Sequence, residues 1–506
     1  MHVSKKMSLA TTLYSSHQTR ELDRIAIEDF GISGFILMQR AGKVTFDLVL
    51  KTYPLTKSFC VICGTGNNGG DGYIIATLAI EMGFEVNLVQ LGDKNSIRGD
   101  ALLAREAFLK TGITESKFEQ HLLNADIIID AMFGTGLARQ IQGHWANTIS
   151  SINEMRSLIG NKVIAVDVPS GLNSDTGIVM GVCVKADLTM TYIGVKCGLV
   201  TGQARDYVGK LEFNDLQLPL ETYEKLSPQP NKRIIPETIL QDTLKPRLRC
   251  SHKGNHGHVL LIGGAPGMSG AIRLAGEACL RTGAGLVSIA THSSHASRLN
   301  LTRPELMVSA VEQADALNPL IEKASVIAIG PGLGQSDWAK DLLAQVLKTN
   351  KPKVLDADAL NLLVKPSSSM NLSDNNNWVL TPHPAEGARL LSISTQDVEL
   401  NRYESIGKIQ QKYGGVCVLK GAGSLIADDK ETAVCTAGNP GMASGGMGDL
   451  LTGIIAALLG QGMSLSAAAE AGTYLHAKAA DLAAKSGERG MLASDLFPFI
   501  RKLINE

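Results

Sequence analysis

Short apolar runs alternate with stretches of helical periodicity through the first half of the chain. The apolar runs of strand length lie at 59–63, 85–91, 126–130, 163–167 and 188–193. Apolar spacing typical of helices covers 17–30, 36–50, 73–82, 102–109 and 146–158. Residues 1–16 show neither pattern and predict no element. Alternation of strands with helices indicates βαβ units around a parallel sheet.

The second half repeats the alternation. Its predicted strands lie at 258–262, 287–290, 326–329, 354–355, 379–380 and 416–419. A helix is predicted up to Gly283, another over 450–459, and alanine-rich helices from about 466 to the end. Between about 220 and 238 the periodicity fades among three prolines, which marks a linker. The sequence therefore predicts an α/β protein of two three-layer α/β/α domains, at 1–225 and 226–506.

Composition and charge narrow the function classes. The 506 residues are 44% hydrophobic and 19% charged, with a net charge of −1, which is typical of a globular protein and not of a nucleic-acid or membrane-surface binder. The eight cysteines form no disulfide framework, and Cys60 and Cys63 fall inside an apolar strand. No apolar run approaches the length of a membrane helix, and Lys5 and Lys6 are not followed by the apolar run of a signal peptide. We expect a cytoplasmic protein.

Polar loops follow three strands of the first half. Gly64–Gly72 has the sequence GTGNNGGDG, which is neither a dinucleotide fingerprint nor a Walker loop. Asn67, Asn68 and Asp71 could offer oxygens to a cation and donors to a phosphate, and Asp130 and Ser170 could complete an all-oxygen site. The alternative is that Asn68 and Asp71 only form an Asx turn.

Asp167 ends a strand just before Pro169, at the same edge of the predicted sheet. Ligands of open parallel sheets bind beyond the carboxyl ends of the strands. We therefore predict that Asp167 is the general acid or base of the first half, against the alternative of a carboxylate that only binds loop N–H groups.

In the second half, Gly438–Asp449 is a loop with five glycines that leads into an apolar helix. Free N–H groups at a helix start favour a phosphate or an oxyanion. Asp449 could then act as a base toward a hydroxyl beside the phosphate. The alternative is that Asp449 merely caps the helix.

Other second-half residues leave two interpretations open. Lys420 and the turn at 421–424 could hold nucleotide phosphates or form an ordinary hairpin. His383 could contact a ligand or be structural, and Asp356 and Asp358 could bind Mg²⁺ through water or act as caps. The segment with His252, Lys253 and His256 could contact phosphate or be a solvated loop.

These motifs together resemble one family. The first half carries GTGNNGGDG, DAMFGTGL and DVPSG, and the second carries HKGNHGHVLLIGG, IGPGLG, DADALN, TPHPAE, LKGAG and NPGMASGGMGDLL. Over nearly all of residues 15–500 the chain resembles the bifunctional NAD(P)H-hydrate repair enzymes, which fuse an NAD(P)HX epimerase to an ADP/ATP-dependent NAD(P)HX dehydratase. The resemblance implies a Rossmann-like domain followed by a ribokinase-like domain.

For the epimerase half, the resemblance implies interconversion of the R and S hydrates, with Asp167 contacting the reacting ring. The implied NAD(P)HX contacts are Asn67, Asn68, Gly69, Gly70, Asp71, Gly134, Thr135, Gly136, Leu137, Ala138, Arg139, Gln140 and Asp167. The implied K⁺ ligands are Asn68, Asp130 and Ser170.

For the dehydratase half, the resemblance implies that Asp449 is catalytic and that the hydrate lies against Ala271, Gly332, His383 and Asp449. The implied ADP contacts are Lys420, Gly421, Ala422, Gly423, Ser424 and Gly448. Phosphorylation by ADP or ATP would turn the hydroxyl into a phosphate that the ring nitrogen can expel, and such a step normally uses Mg²⁺.

Two other functions stay open at this point. A small-molecule kinase also uses glycine-rich loops at helix starts, but it would release a stable phosphorylated product. A first domain that only binds a nucleotide or a partner protein is the non-enzymatic alternative. The expected ligands are NAD(P)H hydrates and ADP, and we expect a homo-oligomer that binds neither nucleic acid nor membrane.

Overall fold

A computed structural model of the chain describes residues 8–364 and 376–506. The chain divides into two compact units, one ending at Lys232 and the other running from Arg233 to Glu506. The boundary expected from the sequence, between 225 and 226, falls seven residues earlier. Within the described residues, none of the helices combines the length and the apolar character needed to cross a membrane.

Eight strands and six α-helices lie in the described part of the first unit, from residue 8 onward. Its strands are β1 (Thr12–Tyr14), β2 (Ser58–Cys63), β3 (Glu85–Gln90), β4 (Ile127–Ala131), β5 (Lys162–Val166), β6 (Leu188–Tyr192), β7 (Val195–Lys196) and β8 (Lys210–Asn214). Its helices are α1 (Ser16–Glu28), α2 (Gly34–Thr52), α3 (Asn67–Glu81), α4 (Gly99–Leu109), α5 (His144–Ile159) and α6 (Leu220–Glu224).

Six strands form one parallel sheet in the order β3–β2–β4–β5–β6–β8. Alternate residues of β2 enter different cores: Phe59 and Val61 pack with side chains of α1 to α4, and Cys60 and Ile62 pack with those of α5. Because strand side chains point alternately to the two faces, helices cover both faces of the sheet. This is the predicted three-layer arrangement.

The predicted elements of this unit are present, but the sequence predicts none of β7, β8 and α6, and two further points need correction. Helix α3 begins at Asn67 and not at Tyr73, so the NNGGD segment is its first turn and not a loop. Strand β1 lies inside the segment 1–16 for which the sequence predicts no element. Residues 1–7 of that segment lie outside the described residues.

In the second unit, β9 (Lys232–Ile234) spans the division between the units. The other strands are β10 (His258–Ile262), β11 (Leu286–Thr291), β12 (Met307–Ala310), β13 (Val326–Ile329), β14 (Lys353–Leu355), β15 (Trp378–Leu380), β16 (Val416–Leu419), β17 (Ser424–Ala427) and β18 (Thr432–Cys435). The order β12–β11–β10–β13–β14–β15–β16 is parallel throughout, and β17 and β18 continue it in antiparallel fashion.

The helices of the second unit flank this sheet. They are α7 (Ile239–Thr243), α8 (Ser269–Arg281), α9 (Ser293–Ala296), α10 (Asn318–Lys323), α11 (Asp337–Leu347), α12 (Asp358–Val364), α13 (Pro384–Leu391), α14 (Thr395–Leu400), α15 (Arg402–Tyr413), α16 (Met447–Gly460), α17 (Leu465–Ala483) and α18 (Phe497–Leu503).

Helix α16 is the central helix of the core on one face. Every residue from Leu450 to Leu459 is buried, among side chains of β10, β13, α8 and α17. Gly453 lies against α8 so closely that a Cβ there would overlap the carbonyl oxygen of Ala275. The close packing of α16 on α8 fixes where the first turn of α16, which carries Asp449, meets the carboxyl ends of the strands.

Candidate functional sites

A cavity of about 540 Å³ opens at the carboxyl ends of β2, β4 and β5 in the first unit. Its lining includes eight of the residues predicted to contact the hydrate: Asn67, Asn68, Asp71, Gly134, Thr135, Gly136, Leu137 and Asp167. Gly69, Gly70, Ala138, Arg139 and Gln140 lie outside the lining. The fold therefore brings together residues that are up to 100 positions apart in the sequence.

Gly69 and Gly70 serve the packing of α3. A Cβ on Gly69 would overlap the carbonyl oxygen of Gly64, and one on Gly70 would lie 2.5 Å from Sδ of Met38. Without side chains, the first turn of α3 can approach the end of β2 closely. This approach carries the side chains of Asn68 and Asp71 into the cavity wall.

Asp167 follows β5 with a positive φ of 67°, a backbone conformation that residues other than glycine rarely adopt. Its Oδ1 accepts hydrogen bonds from Thr191 Oγ1 (3.1 Å) and from the backbone N–H of Tyr192 (3.3 Å), and it forms an ion pair with Lys196. Strained residues of this kind cluster at functional sites, where surrounding contacts hold them. Here the contacts hold a carboxylate at the cavity surface.

Lys196 was not predicted from the sequence. Its side chain is buried, and Nζ donates to Asp167, to Thr191 Oγ1 (3.1 Å) and to the carbonyl oxygen of Tyr192 (2.9 Å). Three acceptors satisfy the three donors of an ammonium group. The sequence gives no periodic signal for this contact, because Lys196 belongs to the two-residue strand β7.

Two further carboxyl groups share the cavity with Asp167. Asp23 comes from α1 and was not predicted, and Asp71 comes from α3. Burial raises the pKa of Asp23 to about 6, with Lys196 lowering it and Asp167 raising it. Burial also raises the pKa of Asp71 well above its usual range, and the charges of Asp167 and Asp23 raise it further. The charge of Lys196 thus does not offset the burial of Asp23 and Asp71.

The predicted K⁺ ligands lie around the turn after β4. Asp130 and Ser170 are fully buried, and Asp130 accepts hydrogen bonds from the N–H (2.8 Å) and Oγ (2.5 Å) of Ser170. Ser170 Oγ in turn accepts from the N–H of Phe133 (2.9 Å). The side chain of Asn68 faces Gly134 of the same turn, and its buried Nδ2 lacks a hydrogen-bond partner in the described part of the chain.

In the second unit, Asp449 occupies the third position of α16. The N-cap is Gly446, with φ of 90° and no side-chain hydrogen bond, so the alternative that Asp449 caps the helix is wrong. Within residues 8–364 and 376–506, no hydrogen bond reaches the Asp449 carboxyl. Burial raises its pKa to about 7, Asp356 adds to the rise, and Lys420 opposes it. A carboxyl group that titrates near neutral pH suits a general base.

Asp356 is the buried anchor of this site. Its carboxylate accepts hydrogen bonds from Thr381 Oγ1 (2.8 Å), Thr452 Oγ1 (2.8 Å) and Lys420 Nζ (2.9 Å). The partners come from the ends of β15 and β16 and from α16. Asp356 is therefore occupied by protein donors and positions Lys420, and Asp358 likewise accepts the N–H of Gly334 (2.8 Å).

Lys420 lies at the end of β16, 3.9 Å from Glu386 and 3.3 Å from the position that a Cβ on Gly448 would take. Burial opposes its charge, but Asp356 and Glu386 outweigh burial and raise its pKa. The segment 420–424 joins β16 to β17 as a hairpin, in which Ser424 Oγ donates to the carbonyl oxygen of Gly421 (3.0 Å). The turn is a hairpin that carries a lysine beside Gly448, and its contact with nucleotide phosphates stays a prediction.

His383 is the N-cap of α13. Its Nδ1 accepts the N–H groups of Ala385 (3.1 Å) and Glu386 (3.4 Å), and Glu386 Oε2 accepts the N–H of His383 (2.7 Å). These contacts leave Nε2 directed toward Glu386 Oε1 at 3.4 Å, on a half-exposed ring. Burial, Lys420 and Arg389 lower the pKa of His383. Nδ1 of His383 thus has a structural role, and the Nε2 edge of the ring is accessible to a ligand.

The predicted hydrate contacts Ala271 and Gly332 are neighbours. A Cβ on Gly332, which has φ of 57°, would lie 3.3 Å from the Cβ of Ala271 and 2.6 Å from the carbonyl oxygen of Met268. The segments that follow β10 and β13 are therefore in direct contact. Buried His476 of α17 was not predicted; burial and Lys420 lower its pKa to about 4, so it is neutral near Lys420.

Sequence comparisons relate both units to one family. A family model described as NAD(P)H-hydrate dehydratase matches residues 259–502, and one described as YjeF-related protein N-terminus matches residues 34–198. The bifunctional NAD(P)H-hydrate repair enzyme of Coxiella burnetii is 46% identical over 98% of this chain and 100% of its own length. That of Escherichia coli K12 is 43% identical over 100% of this chain and 96% of its own.

A structural comparison supports the fold of the second unit. A ribokinase-like superfamily protein from Enterococcus faecalis V583 is 32% identical, with a TM-score of 0.51, and the match covers 54% of this chain and 96% of that one. The predicted α/β class with a ribokinase-like half is thereby confirmed. The relatives match over nearly the whole chain, and the resemblance drawn from its motifs is confirmed: the chain belongs to the family of bifunctional NAD(P)H-hydrate repair enzymes.

Proposed function

We propose that the cavity of the first unit epimerises NAD(P)H hydrates and that the Asp449 site of the second unit dehydrates the S epimer. As a member of its family, the chain is an enzyme with epimerase and dehydratase activities. The observation that carries the assignment of the second site is the position of Asp449. A carboxyl with a pKa of about 7 lies in the first turn of a helix, beside Gly448 and within the influence of Lys420.

The proposed dehydration uses a phosphorylated hydrate. Hydroxide is a poor leaving group, so the ring hydroxyl is first phosphorylated. Asp449 takes the proton of the ring hydroxyl while the hydroxyl oxygen attacks the terminal phosphorus of ADP or ATP. Lys420 and the N–H groups at the start of α16 stabilise the negative charge of the phosphoryl group during its transfer. The lone pair of the ring nitrogen then expels phosphate, the ring loses a proton, and NAD(P)H is released with AMP or ADP.

Substrate and nucleotide contacts follow the resemblance. The hydrate lies against Ala271, Gly332, His383 and Asp449. ADP lies against Lys420, Gly448 and the hairpin turn of Gly421, Ala422, Gly423 and Ser424. Support comes from the adjacency of Ala271 to Gly332 and of Lys420 to Gly448.

Mg²⁺ would neutralise phosphate charge at this site. The described residues contain no cluster of three His, Cys, Asp or Glu side chains placed to hold a metal ion, and the carboxylate of Asp356 is occupied by protein donors. Most oxygen ligands of the ion would therefore come from the nucleotide phosphates and water, as is usual for Mg²⁺.

In the first unit, we assign the ring of the hydrate to the cavity face that carries Asp167, with Asn67, Asn68, Asp71 and Gly134–Leu137 around the nucleotide. Gly69, Gly70, Ala138, Arg139 and Gln140, which complete the implied set, lie outside the cavity lining. The acid–base role belongs to Asp167, because it is the cavity carboxylate held by three donors.

K⁺ fits the Asn68, Asp130 and Ser170 set in its donor chemistry. Carboxylate, hydroxyl and amide oxygens suit a hard cation. The Nδ2 of Asn68 is buried without a partner, and a half-turn of the amide would place its oxygen there. The ion would supply a fixed positive charge beside the nucleotide.

The experiment adds ADP and Mg²⁺ to a mixture of the two NADH hydrate epimers and follows the return of reduced-nicotinamide absorbance. Recovery of both epimers supports both assignments, and no recovery contradicts them. A ribokinase-like kinase with an accessory nucleotide-binding domain would instead accumulate a stable phosphorylated product, which phosphorus NMR detects.

A further inference from the structure

The cavity of the first unit has an unusual charge balance for a site that binds an anionic nucleotide. Six charged side chains line it: Arg20, Asp23, Asp71, Asp100, Asp167 and Lys196. Four carboxyl groups thus face two cations, and all six belong to the first unit. An anionic phosphate gains nothing from this excess of carboxyl groups, so the reaction of the ring explains them better.

Asp71 and Asp167 differ in their surroundings although they line the same cavity. Asp167 accepts hydrogen bonds from Lys196, Thr191 and the N–H of Tyr192. Asp71 accepts no side-chain hydrogen bond from any residue the structure describes. Its neighbours by charge are Asp23 and Asp167 on the acidic side and Lys196 on the basic side.

Two more titratable groups lie near Asp71: the Tyr192 hydroxyl, which is hydrogen-bonded to Thr45, and the Cys63 thiol, whose pKa is raised by burial. Burial raises the pKa of Tyr192, and the charge of Asp71 adds to the rise. Tyr192 therefore stays neutral and cannot supply a charge that would ionise Asp71. Asp167 is thus fixed by a lysine, whereas Asp71 is a buried carboxyl without a side-chain donor among the described residues, a setting that favours the neutral acid.

We propose that Asp71 and Asp167 form an acid–base pair that epimerises the hydrate by loss and return of water, and that Lys196 is the positioning residue that holds the Asp167 carboxylate in place. This inference rests on the proposed epimerase function of the cavity. Paired carboxyl groups in contrasting environments commonly divide the acid and base roles.

The proposed step balances within the site. The O–H bond of Asp71 breaks, and its proton goes to the ring hydroxyl. The C–O bond then breaks with its electron pair on oxygen, which leaves as water, while the nitrogen lone pair forms a C=N bond. Water adds to the opposite face of the ring carbon, its electron pair returns the C=N electrons to nitrogen, and its proton goes to Asp167.

After one turnover Asp71 is ionised and Asp167 is protonated, which is the state that the reverse reaction needs. The two protonation states therefore serve the two directions of a reversible epimerisation. The intermediate is a ring cation, and an acidic cavity stabilises developing positive charge. Opening of the ring to an aldehyde would pass through a neutral intermediate and would gain little from this charge.

The test uses the full-length chain, the R epimer of NADH hydrate and no ADP, so that only epimerisation is observed by chromatography. We expect Asp71→Asn to lower kcat about 100-fold or more, the usual contribution of a general acid, with little change in KM. Lys196→Met is expected to lower kcat and to shift its pH profile, and Lys196→Arg to recover part of the rate. Asp47→Asn, which removes an exposed carboxyl that pairs with Lys43 on α2, is the matched control.

A second measurement needs no variant. Epimerisation by the native chain in ¹⁸O-labelled water is expected to place solvent oxygen in the S product, as mass spectrometry would show. Turnover without label, or Asp71→Asn with native kcat and pH profile, would overturn the inference and leave the epimerase assignment intact. A native chain that does not epimerise at all would instead refute the proposed function.

Discussion

Both units contain an aspartate at the end of a strand that is ion-paired with a lysine. The aspartate is the more exposed member of the pair in the first unit, and the lysine is in the second. In the first unit the Lys196 side chain is 1% exposed and that of Asp167 is 15% exposed. In the second unit Asp356 is 2% exposed and Lys420 is 20% exposed. The first pair therefore presents a carboxylate to its site, which suits acid–base chemistry, and the second presents an ammonium group, which suits phosphate.

Because the second pair presents an ammonium group, the second unit needs another carboxyl group for proton transfer. Asp356 accepts hydrogen bonds from Lys420, Thr381 and Thr452 and is only 2% exposed, so a substrate hydroxyl cannot reach it as it can reach Asp167. Asp449 accepts no hydrogen bond within the described residues and titrates near neutral pH. A fully buried carboxylate such as Asp356 positions its neighbours, whereas a carboxyl at the surface of its site, such as Asp167 or Asp449, is available for proton transfer.

The largest effect is expected where this available carboxyl is removed. Asp449→Asn should lower the rate of S-hydrate dehydration by about 100-fold to 10,000-fold, because a general base is lost. The side chain keeps its size, so the Kd for ADP, measured by calorimetry, should change little. A near-native turnover would remove Asp449 from the mechanism.

Removing the exposed ammonium group should have a smaller effect. Lys420→Met takes a charged hydrogen-bond donor from the nucleotide phosphates, a contact worth about 1.5–3 kcal/mol. The Kd for ADP should therefore rise about 10-fold to 100-fold. Epimerase activity in the same sample serves as the control, and an unchanged Kd would contradict the role given to Lys420.

The smallest expected effect comes from pH. Dehydration needs the ionised form of Asp449, whose pKa is about 7. The rate should therefore rise with pH up to about 7 and level off above it, with a slope of about tenfold per pH unit on the acid side. A kcat that does not change between pH 5.5 and 8 would show that the ionisation of Asp449 does not limit turnover.

Most of the fold could be predicted from the sequence, because strands and helices alternate with clear periodicity and glycine-rich or acidic loops follow the strands. It misplaced the start of α3, since the glycines at 69 and 70 weaken the helical signal while serving close packing. Lys196 and Asp23 could not be predicted: one belongs to a two-residue strand and the other to an amphipathic helix. Only the fold brings either of them to Asp167.

The most direct test of two separate sites follows the R epimer of NADH hydrate with ADP and Mg²⁺ present. The native chain should return all of it to NADH, because the first unit supplies the S epimer to the second. Asp167→Asn should consume the S epimer at the native rate but leave the R epimer, apart from its uncatalysed conversion. Equal consumption of both epimers by Asp167→Asn would contradict the account.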